Sequence, residues 1–160
     1  MLHIDIRSLT PGVHTERLSP SPEDVKLEAD RFADISVDAH MDFDGKELLV
    51  HLDVSASATL ECDRTLREFD HPVRGSFSVL YAPAEKIDEN DDDREDMIAL
   101  DPTADEIDIT KFVRDTILLA IPQRKIAPGA EEEDIRTEYG EPGDDEVDPR
   151  WEALKKLKDD

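Results

Sequence analysis

The sequence predicts an α+β domain: a mainly antiparallel β-sheet curled toward a small barrel, with one central helix and one C-terminal helix. Three observations predict it. Apolar and polar residues alternate in long runs between Ile35 and Tyr81, a helical apolar period appears only after Asp108, and 160 residues is the size of one domain. The domain is therefore drawn as a single unit over 1–160.

Taken in order, Leu2, Ile4 and Ile6 alternate with charged or polar neighbours and read as a strand. Pro20 and Pro22 close off the next stretch, after which Val25 to Ala29 reads as a short edge piece. Ile35, Val37, Ala39, Met41 and Phe43 then form one apolar row, and Leu48, Val50, Leu52, Val54, Ala56, Ala58 and Leu60 form another. Between them, Asp44-Gly45 accepts the positive backbone angles of a type I′ hairpin turn. A two-residue turn sets Phe43 opposite Lys46, Met41 opposite Leu48, Ala39 opposite Val50, Val37 opposite Leu52 and Ile35 opposite Val54. Apolar residues then meet on one buried face. The same parity turns Cys62 inward. From Phe69 to Tyr81 the alternation resumes, with Val73, Phe77, Val79 and Tyr81 against Arg74, Ser76 and Ser78, as the next antiparallel strand. The sheet has five or six strands on this reading.

Asp108 or Thr110 can cap a helix whose buried stripe is Ile109, Phe112, Val113, Thr116, Ile117 and Ala120, stopped before Pro122. A second helix starts with Asp148 as cap and Pro149 in its first turn. It carries Trp151, Leu154 and Leu157 on one side and ends on Lys155, Lys156 and Lys158.

The chain has 19 basic and 42 acidic side chains, a net charge of -23. Residues 85–108 hold 12 acids and 2 bases, and 131–148 hold 10 acids and 1 base, so these two stretches carry -19 of that charge. Two acidic loops around a nearly neutral core follow. Such an excess repels nucleic-acid phosphates at long range and disfavours a broad electrostatic grip on RNA. It suits a basic partner, a salt-rich cytoplasm, in which arginine (11) exceeding lysine (8) would also fit, or simply solvated acidic loops.

No run of 18 apolar residues occurs, and Met1 to Arg7 carries charges where a signal peptide needs an apolar stretch. One cysteine allows no disulfide within the chain. The expectation is a cytoplasmic protein with no membrane partner.

Three segments stand in a fixed order: Cys62-Asp63-Arg64-Thr65-Leu66, then Asp108-Ile109-Thr110 leading to Leu118-Leu119-Ala120-Ile121-Pro122, then Asp148-Pro149-Arg150-Trp151. Together, from about Ile35 to the end, they resemble the YceD family, named for large-subunit ribosomal RNA accumulation. Its members typically show a Cys-x-Arg-Cys-Leu turn after a long hairpin, a helix ending in Leu-Pro, and a late Asp-Pro-Arg. Two departures are plain: Thr65 stands at the second cysteine, and no cysteine pair follows Pro122. The resemblance implies a non-enzymatic role in large-subunit biogenesis, through an assembly intermediate offering large-subunit rRNA or a basic ribosomal protein. The competing class is an acidic interaction module, a chaperone for a basic protein independent of RNA.

Where members carry both cysteine pairs, four soft ligands suit a structural zinc. Here Cys62 stands alone, so it reads as a small buried residue with Thr65 serving the turn by hydrogen bonding. Asp88, Asn90 and Asp92 match the first ligands of a calcium loop, but Asp93 replaces its glycine and Ala99 its closing glutamate. No nucleophile elbow, phosphate loop or dinucleotide fingerprint is present, and the five histidines are scattered. No cofactor, metal or small-molecule substrate is expected.

Two basic islands remain. Arg64, Arg67, His71 and Arg74 surround the cysteine turn, and Lys111, Arg114, Arg124 and Lys125 flank the first helix. They either form one phosphate-contacting patch or pair with the acidic loops. Arg150 and Trp151 either anchor a ribosomal partner or belong to a helix covering the sheet's own open end. The candidate contact set is Arg64, Arg67, Arg74, Arg124, Lys125, Arg150 and Trp151.

Overall fold

A computed structural model describes residues 1–87 and 96–132. Its strands are β1 (His3–Asp5), β2 (Gly12–Leu18), β3 (Phe32–Phe43), β4 (Leu48–Glu61), β5 (Glu68–Ala82), β6 (Met97–Ala99) and β7 (Glu106–Asp108), followed by helix α1 (Thr110–Leu119). Strands β2-β3-β4-β5-β6 form a five-stranded sheet in that order, antiparallel except between β5 and β6, while β1 and β7 form a separate antiparallel pair.

The expected barrel is corrected. β2 and β6 are the two edges and do not meet, so the sheet stays open. Closure is unnecessary because other elements bury its inner face: Ile4 and Ile107 from the β1–β7 pair, and Ile109, Val113 and Ile117 from α1, join Val37, Val50, Leu52 and Val79 in one core. The expected pair of helices is corrected too. Strands make up 46% of the described residues, and a single α-helix is found among them. The stretch 148–158, where the second helix was expected, lies outside the described residues.

The first hairpin keeps its faces and changes its register. Phe43 pairs with Leu48, Met41 with Val50, Ala39 with Leu52 and Val37 with Val54, two residues from the expected alignment. The cause is Asp44, whose Oδ1 accepts the N–H groups of Lys46 at 2.8 Å and Glu47 at 2.7 Å. The Asp44 N–H donates to the Glu47 carbonyl at 3.1 Å, giving a four-residue turn. A shift of two leaves every side chain on its original face.

The short edge piece expected over Val25 to Ala29 is not a strand, although Val25 and Leu27 are buried. Ser21 and Asp24 cap each other, with the Ser21 hydroxyl donating to Asp24 Oδ2 at 2.8 Å, and start a 3-10 turn at Glu23–Val25. The acidic stretch 85–108 is also not all loop: β6 and β7 lie in it, and Ile107 is buried. Residues 88–95 and 133–148 of the two acidic stretches lie outside the described residues.

The expected cap at Asp108 or Thr110 is corrected: Ile109 occupies the cap position of α1 and its side chain makes no capping hydrogen bond. Asp108 Oδ1 accepts the Thr110 N–H at 2.9 Å, and the Thr110 hydroxyl accepts the Leu2 N–H at 2.8 Å, tying the N-terminus to the helix start. The helix sits close on β5: a Cβ on Gly75 would stand 2.7 Å from Thr116 Cγ2, and Phe77 stacks on Phe112 with centroids 5.0 Å apart. A side chain at 75 would force α1 off the sheet.

Candidate functional site

The β4–β5 turn, Cys62 to Arg67, is closed by the Cys62 N–H donating to the Arg67 carbonyl at 2.8 Å and the Leu66 N–H donating to the Cys62 carbonyl at 2.8 Å. Leu66 adopts φ +61, a left-handed conformation that costs a non-glycine residue about 1 kcal/mol, and its side chain is 70% exposed.

A distant segment clasps this turn. The Asp63 N–H donates to the Lys125 carbonyl at 2.7 Å, and the Lys125 N–H returns to Asp63 Oδ2 at 2.8 Å. Beside them the Ala127 N–H donates to Cys62 Sγ at 3.3 Å. Cys62, Ala127 and Ala130 then form a small core of their own, with Phe69 and Ile126 packed on it. The segment reaches the turn because Pro122 stops the chain from continuing α1.

Cys62 is fully buried. Burial pushes its thiol up, but hydrogen bonds from the Ala127 N–H, the Thr65 side chain and the backbone of Thr65 and Arg64 outweigh this and hold it at about 7. Thr65 therefore serves the turn by hydrogen bonding, as the sequence indicates. The sulfur is also more than a small apolar filler, because it organises the backbone donors around it.

The clasp joins the segment that carries Arg64 and Arg67 to the one that carries Arg124 and Lys125. Arg67 and Arg124 are exposed, and Arg64 and Lys125 are half-buried. Neither Arg64 nor Arg67 is a free guanidinium; Arg67 Nε donates to Thr65 Oγ1 at 3.4 Å. Acids border the group: Glu61 and Glu68 face each other across the last β4–β5 pair, and Glu131 and Glu132 are exposed just beyond Ala130.

Arg74 is placed elsewhere. It pairs with Ser55, and since Gly75 faces α1, Arg74 points from the opposite face of the sheet. There it lines a shallow groove with Asp38 and Asp53. On the same face Asp38 is ion-paired with Arg17, and Asp53 stands 3.6 Å from His40 Nε2 and 3.5 Å from His51 Nε2. His71 is half-buried with its ring edge-on to Phe69. Lys111 and Arg114 lie on the exposed side of α1. Arg150, Trp151, Asp88, Asn90 and Asp92 lie outside the described residues. Among the described residues, no group of three or more His, Cys, Asp or Glu side chains is placed to hold a metal, and no helix is long and apolar enough to cross a membrane.

Sequence reasoning missed Leu66 as a surface feature and the 125–130 segment as its support. A lone leucine gives no local signal for positive φ, and Ile126, Ala127 and Ala130 show no helical or strand period.

A family model described as large ribosomal RNA subunit accumulation protein YceD matches residues 50–158. Among curated proteins, the chain is similar to one from Bacillus subtilis (strain 168) described as uncharacterized protein YlbN, 33% identical over 142 residues, covering 82% of this chain and 80% of that protein. No solved structure matches.

Proposed function

The chain belongs to the YceD family, and from that premise we propose that it supports accumulation of large-subunit ribosomal RNA as a non-catalytic factor that engages an assembly intermediate through the clasped corner. The observation that carries this reading is the reciprocal pair of hydrogen bonds between Asp63 and Lys125, at 2.7 and 2.8 Å. It joins two backbone segments about sixty residues apart, one carrying Arg64 and Arg67 and the other Arg124 and Lys125.

Physics limits what such a corner can do. With a net charge of -23, the protein gains nothing from long-range attraction to RNA. The bordering acids also nearly cancel the four cations locally. Contact must therefore be short-range, a few directional hydrogen bonds from arginine forks to phosphate oxygens. With two to four phosphates neutralised, the logarithm of affinity falls with that of salt at a slope of roughly -1.5 to -3.5. Leu66, exposed between Arg64 and Arg67, adds an apolar contact beside the charged ones.

Co-sedimentation tests the reading. Tagged protein travels with large-subunit precursor particles in a sucrose gradient under salt that preserves them. Protein found only at the top of that gradient overturns the proposal.

A further inference from the structure

A second surface lies at the other end of β4. Strand β4 has 14 residues, so at about 3.3 Å per residue roughly 45 Å separates its start at Leu48 from the corner at Cys62. At the Leu48 end a groove of about 650 Å³ opens where the N-terminal segment, the first hairpin turn and the segments after β5 and β6 converge. That volume falls within the roughly 300–1,000 Å³ of ordinary binding pockets. Its floor is apolar, built by Ile6, Leu9, Phe43, Leu48, Pro83 and Leu100. Five of the six are only half-buried, Leu48 alone being fully covered.

The charges at its lips are unequal. On the hairpin side Lys46 stands next to Asp44, whose carboxyl is held below the usual range by the N–H groups of Glu47 and Lys46, with the charges of Lys86 and Lys46 adding. Lys86 is itself ion-paired with Glu47. Of the acids lining the groove, Glu85 and Asp101 have no ion-pair partner among the described residues, although Asp101 accepts hydrogen bonds from Thr103. The described residues of the acidic stretch 85–108, namely 85–87 and 96–108, hold six acids and one base. An apolar floor under an acidic wall repels phosphate and favours a ligand that is apolar in the middle and cationic at its flanks.

We propose that this groove binds an extended basic segment of a partner protein, with one or two large apolar side chains seated on the floor and lysine or arginine directed at Glu85 and Asp101. The apolar anchors supply affinity, while the charges set orientation and encounter rate. The site is independent of the clasped corner and of any RNA contact there.

Fluorescence anisotropy tests it with a labelled ten-residue peptide of lysine and arginine around a central Leu-Lys-Phe, and with a twin in which leucine and phenylalanine are alanine. The full chain binds the first peptide at least ~10-fold more tightly than the twin, as expected for seating two apolar side chains. Leu100→Ser weakens binding of the first peptide by at least ~5-fold, and Glu85→Lys, an exposed substitution that leaves the core untouched, by roughly 3-fold or more. Equal binding of the two peptides reduces the groove to unspecific charge attraction and overturns the proposal. So does wild-type affinity in both variants. A concentration-dependent dimer that Leu100→Ser returns to monomer would assign the groove to a second copy and overturn it equally.

Discussion

The two turns that bound β4 are built on opposite principles. At Asp44 to Glu47 the backbone is satisfied from within, by one exposed carboxylate that accepts two N–H groups of its own turn. At Cys62 to Arg67 the backbone and the cysteine sulfur are satisfied by residues 125–127, which the chain reaches only after completing β5, β6, β7 and α1. The first turn is a local unit, able to form as soon as the hairpin does. The second is completed only by the segment that follows α1, so it reports on the whole fold. A self-contained turn joins strands, whereas a clasped turn can serve as a rigid contact surface.

Substitutions break the comparison in order of size. Cys62→Ala removes the sulfur acceptor and opens a space against Ala127 and Ala130; the expected loss is about 2–3 kcal/mol by chemical denaturation. Asp63→Ala deletes the acceptor for the Lys125 N–H and costs roughly 1–2 kcal/mol, most of which Asp63→Asn restores. Asp44→Ala removes a carboxylate that is exposed like that of Asp63 but bonds only to its own turn and holds no distant segment, and it lowers the melting midpoint by roughly 2 °C or less. Equal losses for Asp63→Ala and Asp44→Ala would erase the distinction between the two turns.

Acidity sharpens the same contrast. Because the Cys62 thiol is lowered to about 7 in the fold, the stability it contributes is complete above its unfolded value and is lost as pH falls through about 7. The Asp44 carboxyl is also lowered, by the N–H groups of Glu47 and Lys46 first. Its contribution is complete above the ordinary carboxylate value and is lost only in more acidic solution. Amide exchange followed against pH, with correction for intrinsic rates, is expected to loosen the Cys62 turn first. Loosening of both turns in one acidic step would contradict the assignment.

What could be read in the sequence follows from how local its causes are. The buried faces of β3, β4 and β5 were legible because a period of two is set by neighbours along the strand. The register of the first hairpin was not, because Asp44 decides between a two- and a four-residue turn through its side chain. β2 escaped notice: it turns Gly12, His14, Glu16 and Leu18 to one side and Val13, Thr15 and Arg17 to the other, so as an edge strand it shows no apolar alternation. The open sheet escaped as well, since closure depends on whether other elements cover the inner face. For the site, the order of motifs brought Arg64, Arg67, Arg124 and Lys125 into consideration. The parity of β5 could have set Arg74 apart, as it alternates with the inward Val73 and Gly75. The clasp, a contact across sixty residues with no periodic signal, had to be seen in the fold.

We propose that the clasped corner is the surface through which this protein meets a large-subunit precursor. The most direct test is the Arg67→Ala, Arg124→Ala variant, with its melting midpoint confirmed unchanged, run beside wild type on a sucrose gradient with precursor particles. The variant is expected to leave the particle fractions while wild type stays in them. A folded variant that co-sediments as fully as wild type would contradict it.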